Sequence, residues 1–129
     1  MNKAHTPAHI APPYKNRYSH AVEVAAGSRM LFVSGTVAAK PDGTVPADFA
    51  EQVETVMQNL TEILKAAGMD WRDVVKANGY LTPQADIATF AQVREKYFPA
   101  PKPALTVVWV AGLADPRWMI EMELVAARS

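Results

Sequence analysis

The chain has 129 residues, half of them hydrophobic, with 13 Lys plus Arg balanced by 13 Asp plus Glu and no cysteine. This length fits one domain with a real core but a large surface for its volume, so association with other copies would add stability. The zero net charge argues against nucleic acid and anionic membrane as partners, since both need clustered cations. The lack of cysteine excludes a disulfide framework, a thiolate nucleophile and Cys-ligated zinc or iron–sulfur centres.

Residues 1–17 are polar and carry Pro7, Pro12 and Pro13; they read as an N-terminal arm, and residues 18–129 as a single domain. The start lacks the apolar core of a signal peptide, and no segment approaches the length of a membrane span. A cytoplasmic protein is the default expectation. Two strands are predicted near Ser19–Ala25 and Arg29–Val37, joined at Ala26-Gly27-Ser28. The triplet Pro41-Asp42-Gly43 then marks a loop.

The segment "DFAEQVETVMQNLTEILKAAG" is the clearest helix. Val53, Val56, Met57, Leu60, Ile63, Leu64 and Ala67 recur at helical spacing and form one apolar stripe. Asp48 is placed to cap its start, with Glu51 three residues on as a capping-box partner, and Gly68 to end it. "VVKANGYLT" reads as a strand. Asp86 caps a second helix, about Ile87 to Phe98, with Phe90, Val93 and Tyr97 on one face. "ALTVVWV" and "WMIEMELVAA" are the last strands.

The order is β-β-α-β-α-β-β, an α+β chain whose two helices can cover one face of a five-stranded sheet. Several strands carry apolar residues on both sides, which predicts that the second face is buried against other subunits. In "PALTVVWV", Leu105, Val107 and Trp109 face one way and Thr106, Val108 and Val110 the other, and neither set offers a charge.

The ordered set "YSHAVEV…RMLFVSGTVA", "AAGMDWRDVVKANGYL", "FAQVREKYFPAPKPA" and "IEMELVA" resembles the Rid family, the reactive-intermediate deaminases, also called YjgF-type. The resemblance covers about residues 14–127. It implies a chorismate-mutase-like subunit that assembles as a homotrimer around a barrel-like core, with small-molecule pockets at the subunit interfaces. It also implies hydrolysis of enamines or imines with no metal or cofactor: water adds to the C=N bond and ammonia leaves. Such chemistry needs a grip on the substrate, a group that positions or deprotonates water, and exclusion of bulk water.

Against that pattern, Glu121 matches the glutamate thought to act on water and is the expected catalytic residue, while Tyr18 matches the tyrosine of the N-terminal motif and is expected to line the pocket. The deaminating members carry a carboxylate-binding arginine directly after the Pro-Ala pair; here Pro103-Ala104 is followed by Leu105. A charge-assisted hydrogen bond contributes about 1.5–3 kcal/mol, and leucine offers none. With Val107 and Trp109 on the same strand face, the expected substrate wall is apolar. In the second helix those members often carry asparagine where this chain has Arg94, which supplies a replacement cation if it faces the pocket. The implied function is deamination of an enamine or imine that depends less on a carboxylate grip than 2-imino acids do. The alternative is a non-catalytic trimer, metabolite-binding or chaperone-like, that kept the fold and lost the chemistry.

Other residues support simpler readings. His5 and His9 have metal-ligand spacing for a helix, but their proline-rich setting disfavours one, and no metal or cofactor is expected. His20 shares a strand face with Tyr18 and reads as packing. Ser34-Gly35 lacks the rest of a nucleophile elbow, and no glycine pattern forms a phosphate loop. Arg17, Arg29, Arg72, Arg94 and Arg117 are scattered along the chain, so no basic patch is evident, which weakens the ribonuclease activity sometimes attached to the family.

Overall fold

The computed structural model describes residues 1–129. Its strands are β1 (Lys3–His5), β2 (Ala21–Glu23), β3 (Arg29–Val37), β4 (Val74–Leu81), β5 (Ala104–Trp109) and β6 (Ile120–Arg128), and its helices are α1 (Phe49–Ala66) and α2 (Ile87–Glu95). The main sheet is mixed, in the order β3-β6-β4-β5, antiparallel except for the parallel β4–β5 pair. The α+β class with two helices on a sheet is as the sequence predicts.

The strand count differs. The main sheet has four strands, not five, because the segment after Tyr18 meets it at one point only. Ser19 bridges Ala104, its N–H donating to the Pro103 carbonyl at 3.0 Å and its hydroxyl to the Lys102 carbonyl at 2.5 Å. The chain then leaves the sheet, and Ala21–Glu23 pairs antiparallel with Lys3–His5. The strand-forming part of the N-terminal segment precedes its first proline, so nothing removes a ladder donor.

The core lies between the helices and one face of the sheet. From α1 it takes Val53, Val56, Met57, Leu60 and Leu64; from α2, Phe90 and Val93; from the sheet, Val33, Ala77, Leu81, Ile120, Met122 and Leu124. Ile63, at the edge of the α1 stripe, is exposed instead. The Asp48 carboxylate caps α1 by accepting from the Glu51 N–H at 3.1 Å, and Gly68 turns the chain away with a φ of +70°. Asp86 caps α2 through the Ala88 N–H at 3.0 Å. That helix stops at Glu95, short of the predicted Phe98: the Lys96 and Tyr97 N–H groups donate three residues back, to the Val93 and Arg94 carbonyls, in a tightened last turn, and Pro99 keeps Phe98 itself out of helical geometry.

The other face of the sheet has no helix. Phe32 there is 74% exposed, with Met30 and Val108 also exposed. No helix is long and apolar enough to cross a membrane.

Candidate functional site

β4 separates two chemically different surfaces because its side chains alternate. Tyr80 pairs with Glu121 and Asn78 with Glu123 across the β4–β6 ladder, which puts these four on the helix-free face. Ala77 pairs with Leu105 and Gly79 with Val107 across the β4–β5 ladder, on the face that packs against α2. Gly79 is the contact point: a Cβ there would lie 3.2 Å from Phe90 Cζ and 3.6 Å from Val107 Cγ2.

On the helix-covered side a groove of about 640 Å³ runs between β5, α2 and the turn before Tyr18. Leu105, Val107, Ala88 and Ala91 form its apolar walls, and Tyr18 and Arg94 also line it. Tyr18 sits edge-on to His20, with ring centroids 6.1 Å apart, and the buried His20 Nδ1 has no hydrogen-bond partner. Trp109, at the end of β5, is 54% exposed and does not line the groove. The structure therefore gathers four of the six residues singled out in the sequence, Tyr18, Arg94, Leu105 and Val107.

Glu121 lies elsewhere, on the helix-free face beside a β-bulge of β3 between Val33 and Thr36. Gly35, in that bulge, leaves room for the Glu121 carboxylate, which a Cβ at position 35 would strike. The two carboxylates of β6 differ. The Tyr80 hydroxyl donates to Glu123 Oε1 at 2.5 Å and Asn78 Nδ2 to the same oxygen at 3.1 Å. These bonds hold the Glu123 carboxyl below its ordinary range and push the Tyr80 hydroxyl up. Glu121 has no such partners, so its lone pairs are available to a water molecule.

Sequence reasoning missed two features. Ser34-Gly35 carries no nucleophile-elbow signature, and Gly35 matters instead through the space it leaves for Glu121. Two of the arginines scattered along the sequence, Arg17 and Arg94, line one groove, joined there by Lys15. His5, considered as a metal ligand, bonds to Glu23 at 2.9 Å.

Residues 9–128 match the family model described as endoribonuclease L-PSP. The chain is 36% identical over 118 residues to Reactive Intermediate Deaminase A, chloroplastic, of Arabidopsis thaliana, covering 90% of this chain and 61% of that protein. It is 36% identical over 125 residues to the 2-iminobutanoate/2-iminopropanoate deaminase of Mus musculus, covering 95% of this chain and 85% of the relative. The crystal structure of YyfB, a Rid-family protein of unknown function from Yersinia pestis, superposes with a TM-score of 0.88 at 30% identity, covering 98% of each chain. Sequence and fold agree over nearly the whole length: the protein belongs to the endoribonuclease L-PSP family, with Rid proteins among its relatives.

Proposed function

We propose that the protein is a Rid-type hydrolase that deaminates a reactive enamine or imine without a cofactor. Relatives at 36% identity are named a reactive intermediate deaminase and a 2-iminobutanoate/2-iminopropanoate deaminase, and the observation that carries the reading is the unencumbered Glu121 carboxylate beside the Gly35 bulge. In this reading Glu121 takes a proton from water as the oxygen adds to the C=N carbon. The carbinolamine then collapses, its C–N bond breaks, and ammonia and a carbonyl compound leave.

The wall at β5 is apolar: Leu105 and Val107 offer contact area and no anionic grip there. The substrate is accordingly one that depends less on a carboxylate grip at β5 than a 2-imino acid held by an arginine would. Within one chain Glu121 and the groove lie on opposite faces of the sheet, so the complete site is assembled between subunits. A homotrimer that buries the helix-free face would bring the Glu121 of one copy to the groove of another, and the exposed Phe32 and Val108 support burial of that face.

The test is hydrolysis of 2-iminopropanoate generated in situ, read as ammonia and keto-acid release, by the wild type, Glu121→Gln and Leu105→Arg. Acceleration by the wild type that is lost in Glu121→Gln supports the proposal. Silence of all three with the assembly intact sinks it and leaves the binding-protein reading. A silent wild type that gains activity in Leu105→Arg places the chemistry in the scaffold but overturns the proposed substrate preference.

A further inference from the structure

The groove is lined by three cations, Lys15, Arg17 and Arg94, and by no acidic residue, although the chain as a whole is neutral. The six arginines sort by their partners. Arg72 pairs with Asp70 at 2.7 Å, Arg117 with Asp115 at 2.8 Å and Arg128 with Asp73 at 3.0 Å. Arg29 donates to the Ala67 carbonyl at 3.3 Å. Arg17 and Arg94 are left without a carboxylate or carbonyl, and both face the groove.

Arg94 is the unusual one. It is 3% exposed, and its Nε is buried with no hydrogen-bond partner. Its guanidinium carbon lies 4.7 Å from the Phe90 ring centroid and 5.7 Å from that of Phe98. Stacking on aromatic faces fixes the guanidinium without using its in-plane N–H donors, which are the ones that bind a carboxylate in a fork. The nearest acid in sequence, Glu95, is already paired with Lys102 at 3.0 Å. The Glu95 charge acts on Arg94 but makes no hydrogen bond to it; a buried guanidinium without a bonded counter-ion is costly to retain, and an anion entering the groove would supply one. Burial lowers the Arg94 pKa only to about 10, so the group is cationic at neutral pH.

We infer that Arg94, assisted by Arg17, is an anion anchor that binds the carboxylate of a short-chain substrate in the groove, with the alkyl part against Leu105 and Val107. The anchor sits on α2, across the groove from the apolar strand. The hydrolase reading is needed only to identify the bound acid as a 2-imino acid or its 2-oxo product.

The experiment is a titration of the full chain with 2-oxobutanoate, followed by calorimetry and by amide chemical shifts, beside butan-2-one as a probe without the carboxylate. Saturable binding of the acid and none of the ketone is expected. Affinity should fall at least tenfold in Arg94→Met, less in Arg94→Lys, and severalfold in Arg17→Gln, with thermal melts showing each variant folded. Arg17→Gln carries the test if Arg94→Met fails to fold. Wild-type affinity in a folded Arg94→Met, or no binding of the acid to the wild type, overturns the inference. Because binding requires no turnover, an Arg94-dependent site in a protein inactive on imines would sink the hydrolase reading alone. Imine hydrolysis unchanged in Arg94→Met would sink the anchor alone.

Discussion

Gly35 and Glu121 stand so close across the β3–β6 pair that a Cβ on Gly35 would lie 2.8 Å from the Glu121 carboxyl carbon. Gly35→Ala must therefore displace the glutamate or the bulge. The position is exposed and the atoms struck belong to the far end of a flexible side chain, so the cost in stability is small, about 0.5 kcal/mol or less. The expected result is a modest fall in melting temperature with a much larger fall in imine turnover. Loss of stability with turnover intact would show that the placement of Glu121 does not matter to the chemistry.

The two carboxylates of β6 should separate functionally. Glu121→Gln removes a base of similar shape and should lower kcat by about 10² or more. Glu123→Gln replaces the charged acceptor of Tyr80 and Asn78 with a neutral amide oxygen and so weakens both bonds; it should lower stability while measurable turnover remains. Steady-state kinetics beside urea melts of both variants would check this, and the reverse pattern would reassign the base.

Acid behaviour should report the Tyr80–Glu123 bond. The folded pKa of Glu123 is depressed, so its stabilisation is fully present above the unfolded value of about 4.3 and is lost as pH falls through the lower folded value. Tyr80→Phe should be about 1 kcal/mol less stable at pH 7. The gap between the proteins should narrow below pH of about 4 as Glu123 protonates in both. Chemical denaturation across that range would show it, and a gap constant with pH would refute the assignment.

Gln52 is 1% exposed and bridges three backbone groups. Its Nε2 donates to the Pro46 and Arg117 carbonyls, both at 2.8 Å, and its Oε1 accepts from the Met119 N–H at 2.9 Å. Gln52→Leu keeps the bulk and orphans all three, at about 1–3 kcal/mol for a buried unpaired group. A total loss of at least ~2 kcal/mol is expected in urea melts, since Met119 leads directly into β6. A neutral substitution would mean that water replaces the amide.

The long helix was legible because its apolar period runs over five turns, and even there Ile63 escaped the stripe by sitting at its edge. The N-terminal strand was placed in the right stretch but joined to the wrong partner, since residues 3–5 give no sign that they turn back onto Ala21–Glu23. Alternation along "ALTVVWV" told which residues travel together. It could not tell which face of the sheet they join, because that depends on the register of β4 against both β5 and β6. The opposition of Glu121 and Leu105 was therefore invisible in the sequence. So was the meeting of Arg17 and Arg94, which are 77 positions apart and come together only through the bridge of Ser19 to Ala104.

The turn that presents Arg17 and Tyr18 holds Lys15 at a φ of 51° and Asn16 at 55°, two left-handed residues in succession and neither a glycine. Asparagine tolerates this geometry; lysine is held there at a cost of about 1–2 kcal/mol. The rim of the groove thus behaves as a loaded spring, kept taut by the packing on either side of it. Relaxing it with Lys15→Gly should make the protein harder to melt and its groove less well formed, an exchange of ligand affinity for durability.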